Sequence, residues 1–250
     1  MSDFPYEILN DVAHRPWPIP TGPWLMTQSW HDLLFAHWRV DVAVLRARVP
    51  AALPLDLYDG EAWVGIVPFR MTNVAPRGVP PFPIVSAFPE LNVRTYVAVN
   101  GKPGVYFFSL DAGSALAVVA ARTLFGLPYF SADMQVATVG GGIHYASHRT
   151  SGSVAAFEAS YRPVGPVRAP APGTLEHFLT ERYCLYTAGP GSRVTRVEIH
   201  HPAWPLQQAD AEIHVNTMAD VAGIPLPASA PLLHFSKRQD MVAWAMATVR

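Results

Sequence analysis

The chain has 250 residues, half of them hydrophobic and only 15% charged, with 7 tryptophans, 9 tyrosines and 12 phenylalanines spread along it. That excludes a disordered chain and leaves enough apolar material for a sizeable core. A net charge of −1 with no basic run disfavours a nucleic-acid or polyanion-binding surface.

The single cysteine, Cys184, cannot form an internal disulfide and is compatible with a reducing cytoplasm. The N-terminal residues lack the basic start and apolar stretch of a signal peptide, and no apolar run is long enough to span a membrane. The expectation is a cytoplasmic protein without a membrane partner. Only two lysines exist, Lys102 and Lys237; the remaining cations are arginines. Schiff-base chemistry needs a lysine amine, so only these two positions could supply one.

In chain order, residues 1–24 are proline-rich and read as an extended wrap, with Trp17 and Trp24 pinning it to a domain over 25–250. Met26–Trp38 is too mixed for one period: a strand to Trp30, then a helical turn or strand through Ala36. His31 and His37 lie in it, although a histidine beside a tryptophan is more often structural. Asp59-Gly60 makes a hairpin turn before a strand over Ala62–Met71, and Pro68 within that strand marks an edge or a bulge. The proline-rich stretch from Arg77 to Glu90 reads as a long loop and a candidate rim.

From Glu90 the residues alternate. Glu90, Asn92, Arg94 and Tyr96 share one strand face, and Leu91, Val93, Thr95 and Val97 the other. The polar set can satisfy itself by hydrogen bonding, as a polar-lined cavity would need; it would equally suit a salt-bridged stripe on an exposed face. Asn100-Gly101 predicts a turn, and Val105–Phe108 a partner strand. Ala112–Leu124 reads as a helix, stopped by Gly126 and Pro128.

Beyond this elbow, Tyr129–Val139 and Ile143–Arg149 predict a hairpin around three glycines, and Val154–Tyr161 another strand. Residues 162–173, rich in proline, read as a stiff loop. Thr174 caps a helix ending near Tyr183. Strands follow at Tyr183–Thr187, Val194–His201 and Ala209–Asn216, with one more in the last residues. Strands at this spacing with about two helices imply an α+β, mostly β fold whose antiparallel sheet is curved or closed.

No phosphate-binding loop, dinucleotide fingerprint, HExxH, CxxC or GxSxG motif is present, so no cofactor is expected. The weak metal alternative is a cluster of His200 and His214 with Glu198 or Glu212, which requires their two strands to pair. Cys184 reads as a buried small hydrophobe rather than a nucleophile.

Several blocks, among them TQSWHDLLFAHW, DGEAWVGIVPFRM, FPELNVRTYV, ARTLFGLPYF, EIHHPAWPLQ and LLHFSKRQD, resemble in this order the YqjF-like family, DUF2071, over about residues 24–245. That family is similar to acetoacetate decarboxylase-like proteins, which implies a curved antiparallel sheet around an internal cavity. In acetoacetate decarboxylases the elbow carries a Gly-x-Pro followed by two lysines, one of which forms the imine. Here Gly126 and Pro128 match, but Tyr129 and Phe130 stand at the lysine positions. Glu90, or Asn92 one same-face step on, matches a cavity glutamate. The resemblance therefore implies the fold without amine-dependent decarboxylation.

The expected function is binding of a small, anionic or oxygen-rich organic molecule. Arg94 pairs with the anion, Asn92 and Glu90 position it or move a proton, and Tyr129 caps the pocket. Tyr96, Phe130, His31, Arg182 and Tyr183 complete the expected lining. A lyase or isomerase would take Glu90 with Tyr129 or a histidine as its acid/base pair; a non-catalytic binding protein is the alternative. Proline-rich wraps and high apolar content are compatible with a homodimer.

Overall fold

A computed structural model describes residues 3–81, 86–115, 118–119, 126–189, 191 and 193–249. Among these residues twelve strands form one sheet: β1 (Met26–Val40), β2 (Ala62–Pro76), β3 (Phe88–Val99), β4 (Lys102–Ala112), β5 (Tyr129–Val139), β6 (Gly142–Arg149), β7 (Ala156–Arg168), β8 (Cys184–Ala188), β9 (Val194–His200), β10 (Leu206–Asn216), β11 (Leu232–Ala243) and β12 (Ala247–Thr248). Helix α1 spans Val42–Arg48 and α2 spans Leu175–Thr180. The mostly β, α+β expectation holds.

The strand order is β12-β9-β8-β4-β3-β2-β1-β11-β10-β7-β6-β5, with added pairings of β9 with β11 and of β4 with β5. The sheet thus returns on itself twice. One circuit runs β9-β8-β4-β3-β2-β1-β11, the other β5-β6-β7-β10-β11-β1-β2-β3-β4. Strands β1 to β4 and β11 belong to both, so each buries both faces. The second circuit is filled by a core that includes Leu34, Ile66, Leu91, Val93, Tyr145, Phe157 and Phe235.

This shared burial explains why β1 has no clean period. It is one strand of 15 residues, not a strand followed by a helical turn. Asp32 adopts φ 53°, and the pairing with β2 jumps between His31/Arg70 and Ala36/Ile66. Such a bulge re-aims the residues that follow it. Leu33 and Phe35 then face one circuit and Leu34 and Ala36 the other. Pro68 sits opposite this irregularity, in a strand flanked on both sides by β1 and β3, so it marks a bulge and not an edge.

The turn at Asn100-Gly101 has φ of 52° and 73°, the left-handed pair that a two-residue hairpin requires. Residues 162–173 are only partly a loop: β7 continues through Arg168, paired with β10 from Leu206 to Asn216. Of the helix expected over Ala112–Leu124, Ala112 closes β4 and Val118 and Val119 are helical; residues 116–117 and 120–125 lie outside the described residues. So do residues 82–85 of the expected proline-rich loop. Thr174 caps α2 by accepting from the His177 N–H, and the helix stops at Thr180 rather than near Tyr183. Among the described residues no helix is long and apolar enough to cross a membrane. The N-terminal segment lies against the sheet through Phe4 and Ile8, which pack on Val242 and Trp244.

Candidate functional site

The first circuit is not filled. It encloses a cavity of about 580 Å³ lined by side chains from β1, β2, β3, β4, β8, β9 and β11, within the ordinary range of small-molecule sites. Strand β3 supplies its polar side. Because side chains alternate, Leu91 and Val93 enter the filled core while Glu90, Asn92 and Arg94 enter the cavity. Three of the four same-face residues thus line it.

Tyr96, the fourth, lies just past the deep end. There α2 plugs the circuit: Tyr96 packs against Leu179 and donates to the Leu179 carbonyl at 2.8 Å, and His37 Nε2 lies 2.7 Å from its hydroxyl. Arg94 Nη2 donates to the same carbonyl at 3.0 Å. Its buried Nε has no acceptor among the described residues, and no described carboxylate lies within 4.0 Å of the guanidinium. The guanidinium lies over the Phe35 and Tyr96 rings, 5.3 and 5.8 Å from their centroids. Asn92 Oδ1 is buried with no donor among the described residues.

Glu90 is 3% exposed. The Tyr129 hydroxyl donates to its Oε2 at 2.7 Å, and the Tyr145 hydroxyl to its backbone carbonyl at 2.8 Å. Burial pushes the Glu90 carboxyl up to about 8; the Tyr129 hydrogen bond opposes this and the nearby Asp111 carboxylate adds to it. Burial, with Glu90 beside it, holds the Tyr129 phenol well above its ordinary value. At neutral pH both groups are protonated. Tyr129 donates to one Glu90 oxygen, and the remaining carboxyl proton is available to the cavity.

Tyr129 reaches Glu90 because of the elbow. Gly126, at φ 59°, takes the left-handed conformation that turns the chain into β5, which runs parallel to β4 from Leu110/Tyr129. The next residue points the other way. Phe130 lies 4.1 Å below the Arg149 guanidinium and does not line the cavity. Arg149 makes a buried two-point pair with Asp111, at 2.6 and 2.7 Å. This pair commits Arg149 to Asp111 and leaves Glu90 with no ion-paired cation among the described residues.

The other expected residues divide. Arg182 lines the cavity with Thr180, but its charge is matched by Asp56 at 2.5 Å and it stacks on Phe178. His31 points away, 2.8 Å from the Thr72 hydroxyl, because it precedes the Asp32 bulge. Tyr183 also lies outside, bonded to Glu181 and stacked on His201 at 4.7 Å. His201 and Trp204 line the cavity and were not expected to. Their only sequence signal is the HHPAWPL break, which brings them in from a distant segment.

Both lysines stand outside the lining. Lys102 Nζ donates to Glu198 at 3.0 Å, and Lys237, 75% exposed, donates to Asp32 at 2.5 Å. The metal alternative fails on its own condition, because β9 and β10 do not pair. His200 is buried against the Ile8 carbonyl, and His214 lies beside Glu212 near the surface. No group of three metal-ligating side chains occurs among the described residues.

Solved structures share this architecture. Acetoacetate decarboxylase from Legionella pneumophila superposes with a TM-score of 0.64 at 15% identity, covering 100% of this chain and 98% of that one. An acetoacetate decarboxylase-like enzyme from Sphingomonas wittichii RW1 gives 0.61 at 14%, covering 95% and 98%. The enduracididine biosynthesis enzyme MppR, solved complexed with pyruvate, gives 0.63 at 13%, covering 93% of each chain. At these identities the likeness establishes an acetoacetate decarboxylase-like fold. The uncharacterized protein YqjF of Bacillus subtilis is 51% identical over 228 residues, 91% of this chain and 94% of that protein. The model of DUF2071, described as an uncharacterized conserved protein, matches residues 27–240, and this chain belongs to that family.

Proposed function

We propose that the cavity binds an organic carboxylate, with Arg94 as its counter-ion and neutral Glu90 donating a hydrogen bond to a second oxygen of the ligand. The observation that carries this reading is the Arg94 guanidinium, inside the cavity and without an acidic partner among the described residues. A desolvated guanidinium presents a fork suited to a carboxylate, and an incoming anion would fill the vacancy. Glu90 and Asn92 lie on the same strand face, so one ligand can reach all three. The fold is compatible with such a ligand: a neighbour of the same architecture was solved with pyruvate, a small carboxylate.

Chemistry at this site would run without an imine, because both lysine amines are engaged in ion pairs outside the lining. Glu90 would act as an acid, donating a proton to a ligand carbonyl as charge develops there. Among the described residues the lining offers no free base. Both His201 ring nitrogens lie against carbonyls, at 2.7 Å from Pro202 and 3.2 Å from Arg182. That favours binding, with Glu90 as donor, over a two-residue acid/base mechanism.

The test is thermal shift with a panel of carboxylates against wild type, Arg94→Met and Glu90→Gln. Wild type is expected to be stabilised, Arg94→Met to lose the response, and Glu90→Gln to keep part of it. Equal responses from wild type and Arg94→Met would refute the reading. Borohydride reduction in the presence of acetoacetate is expected to give no adduct by mass spectrometry; a covalent adduct would restore imine chemistry.

A further inference from the structure

We infer that the ligand is an amphipathic acid, a carboxylate on a long apolar chain, with its head at Arg94 and its tail running outward between β1, β2 and β11. This rests on the assignment of Arg94 as the anion site and adds the direction and chemistry of the rest of the molecule.

The pairing registers order the cavity by depth. Arg94 lies opposite Gly65, Asn92 opposite Val67, Glu90 opposite Phe69 and Phe88 opposite Met71. Strand β2 then continues outward through Val74 to Pro76, where it meets Met26, which in turn pairs with Ala243. From Arg94 to Phe88 is six residues, so this part of the cavity alone extends roughly 20 Å along the strand. The deep end is polar and closed by α2. The outer end is apolar: Leu25, Met26, Met71, Val74 and Ala243 line it, and Leu25 is 41% exposed.

A small oxygen-rich molecule would leave this outer half filled with water that has almost nothing to bond to. Gln28 is the polar side chain there, and its Oε1 already accepts from Trp30 at 2.8 Å. Apolar walls around an elongated void favour an apolar occupant, because that removes hydrocarbon surface from water on both sides. The charged Arg94, with Asn92 and Glu90 following it along β3, lies toward the inner end, and that fixes which way an acid enters. The expectation of an oxygen-rich metabolite therefore narrows to a ligand whose oxygens sit at the inner end.

The experiment measures binding of hexanoate, octanoate, decanoate and dodecanoate by isothermal titration calorimetry, below micelle-forming concentrations, with dodecanol as the uncharged control. Affinity is expected to rise about fourfold per added methylene until the chain outgrows the cavity, and dodecanol to bind more weakly than dodecanoate. Two tail-end variants, Leu25→Glu at the exposed rim and Met71→Trp within the lining, should each weaken dodecanoate at least tenfold and leave hexanoate within twofold. Short and long acids binding alike, with neither tail-end variant selective for dodecanoate, would overturn the amphipathic ligand while Arg94 stands. If no acid of any length binds, the anion site itself falls and this inference with it.

Discussion

The Tyr129 hydroxyl donates to Glu90 Oε2 at 2.7 Å, joining the residue after the Gly-Leu-Pro elbow to the first polar residue of β3. Among the described residues neither group has a cation beside it, because Arg149 is committed to Asp111. Burial therefore dominates the protonation state of both, and one face of β3 brings to the cavity a neutral acid and, four residues on, a guanidinium with no acidic partner among the described residues.

Glu90 should make stability fall as pH rises. Its carboxyl is pushed from the ordinary value of 4.5 up to about 8, so the folded state binds its proton more tightly than the unfolded chain does. The penalty is absent below the unfolded value, grows through the interval and saturates above about 8, with an upper bound of about 5 kcal/mol. Glu90→Gln removes it. The variant should match wild type near pH 4.5 and have the higher Tm at pH 8.5 by differential scanning calorimetry.

Tyr129→Phe should move the Glu90 titration further upward, because the phenol hydrogen bond holds it down. The stability cost of the lost bond is about 1 kcal/mol. Carbon-13 NMR of the Glu90 carboxyl reads the midpoint directly. A midpoint that falls in the variant would contradict the assigned donor.

Arg149→Ala should cost about 3–5 kcal/mol at pH 7, since it strands Asp111 in a site with no solvent access. Asp111 is already raised by burial and held down by Arg149. Without Arg149 it should bind a proton well above its usual range, so the loss is smaller at pH 5 than at pH 7. Adding Asp111→Asn should recover part of the stability, measured by urea unfolding at both pH values.

Arg15→Met should loosen the N-terminal segment. Arg15 is 8% exposed, donates to the Ile199 carbonyl at 2.8 Å and lies 4.6 Å over the Tyr183 ring. Loss of a charged hydrogen bond and a stacked cation amounts to about 2 kcal/mol. Limited proteolysis should cut between residues 11 and 24 faster in the variant than in wild type, with the remainder of the chain intact.

The local chemistry of the chain was legible as sequence. Alternation from Glu90 to Val97 put the polar residues on one face, Asn100-Gly101 set the hairpin, and the elbow at Gly126 and Pro128 aimed Tyr129. The family blocks carried the fold, and the scarcity of lysine limited the chemistry. What the tertiary structure alone decided is which face of each strand meets a filled core and which a void. β1 reads as irregular because both of its faces are buried, and Pro68 reads as an edge signal in an interior strand. His31, Phe130 and Tyr183 have the right chemistry but point elsewhere, whereas Trp204 and His201 reach the cavity from more than a hundred residues away. Periodicity records that two faces differ; how the sheet closes determines what each face encounters, and that closure depends on strand pairings between segments far apart in the chain.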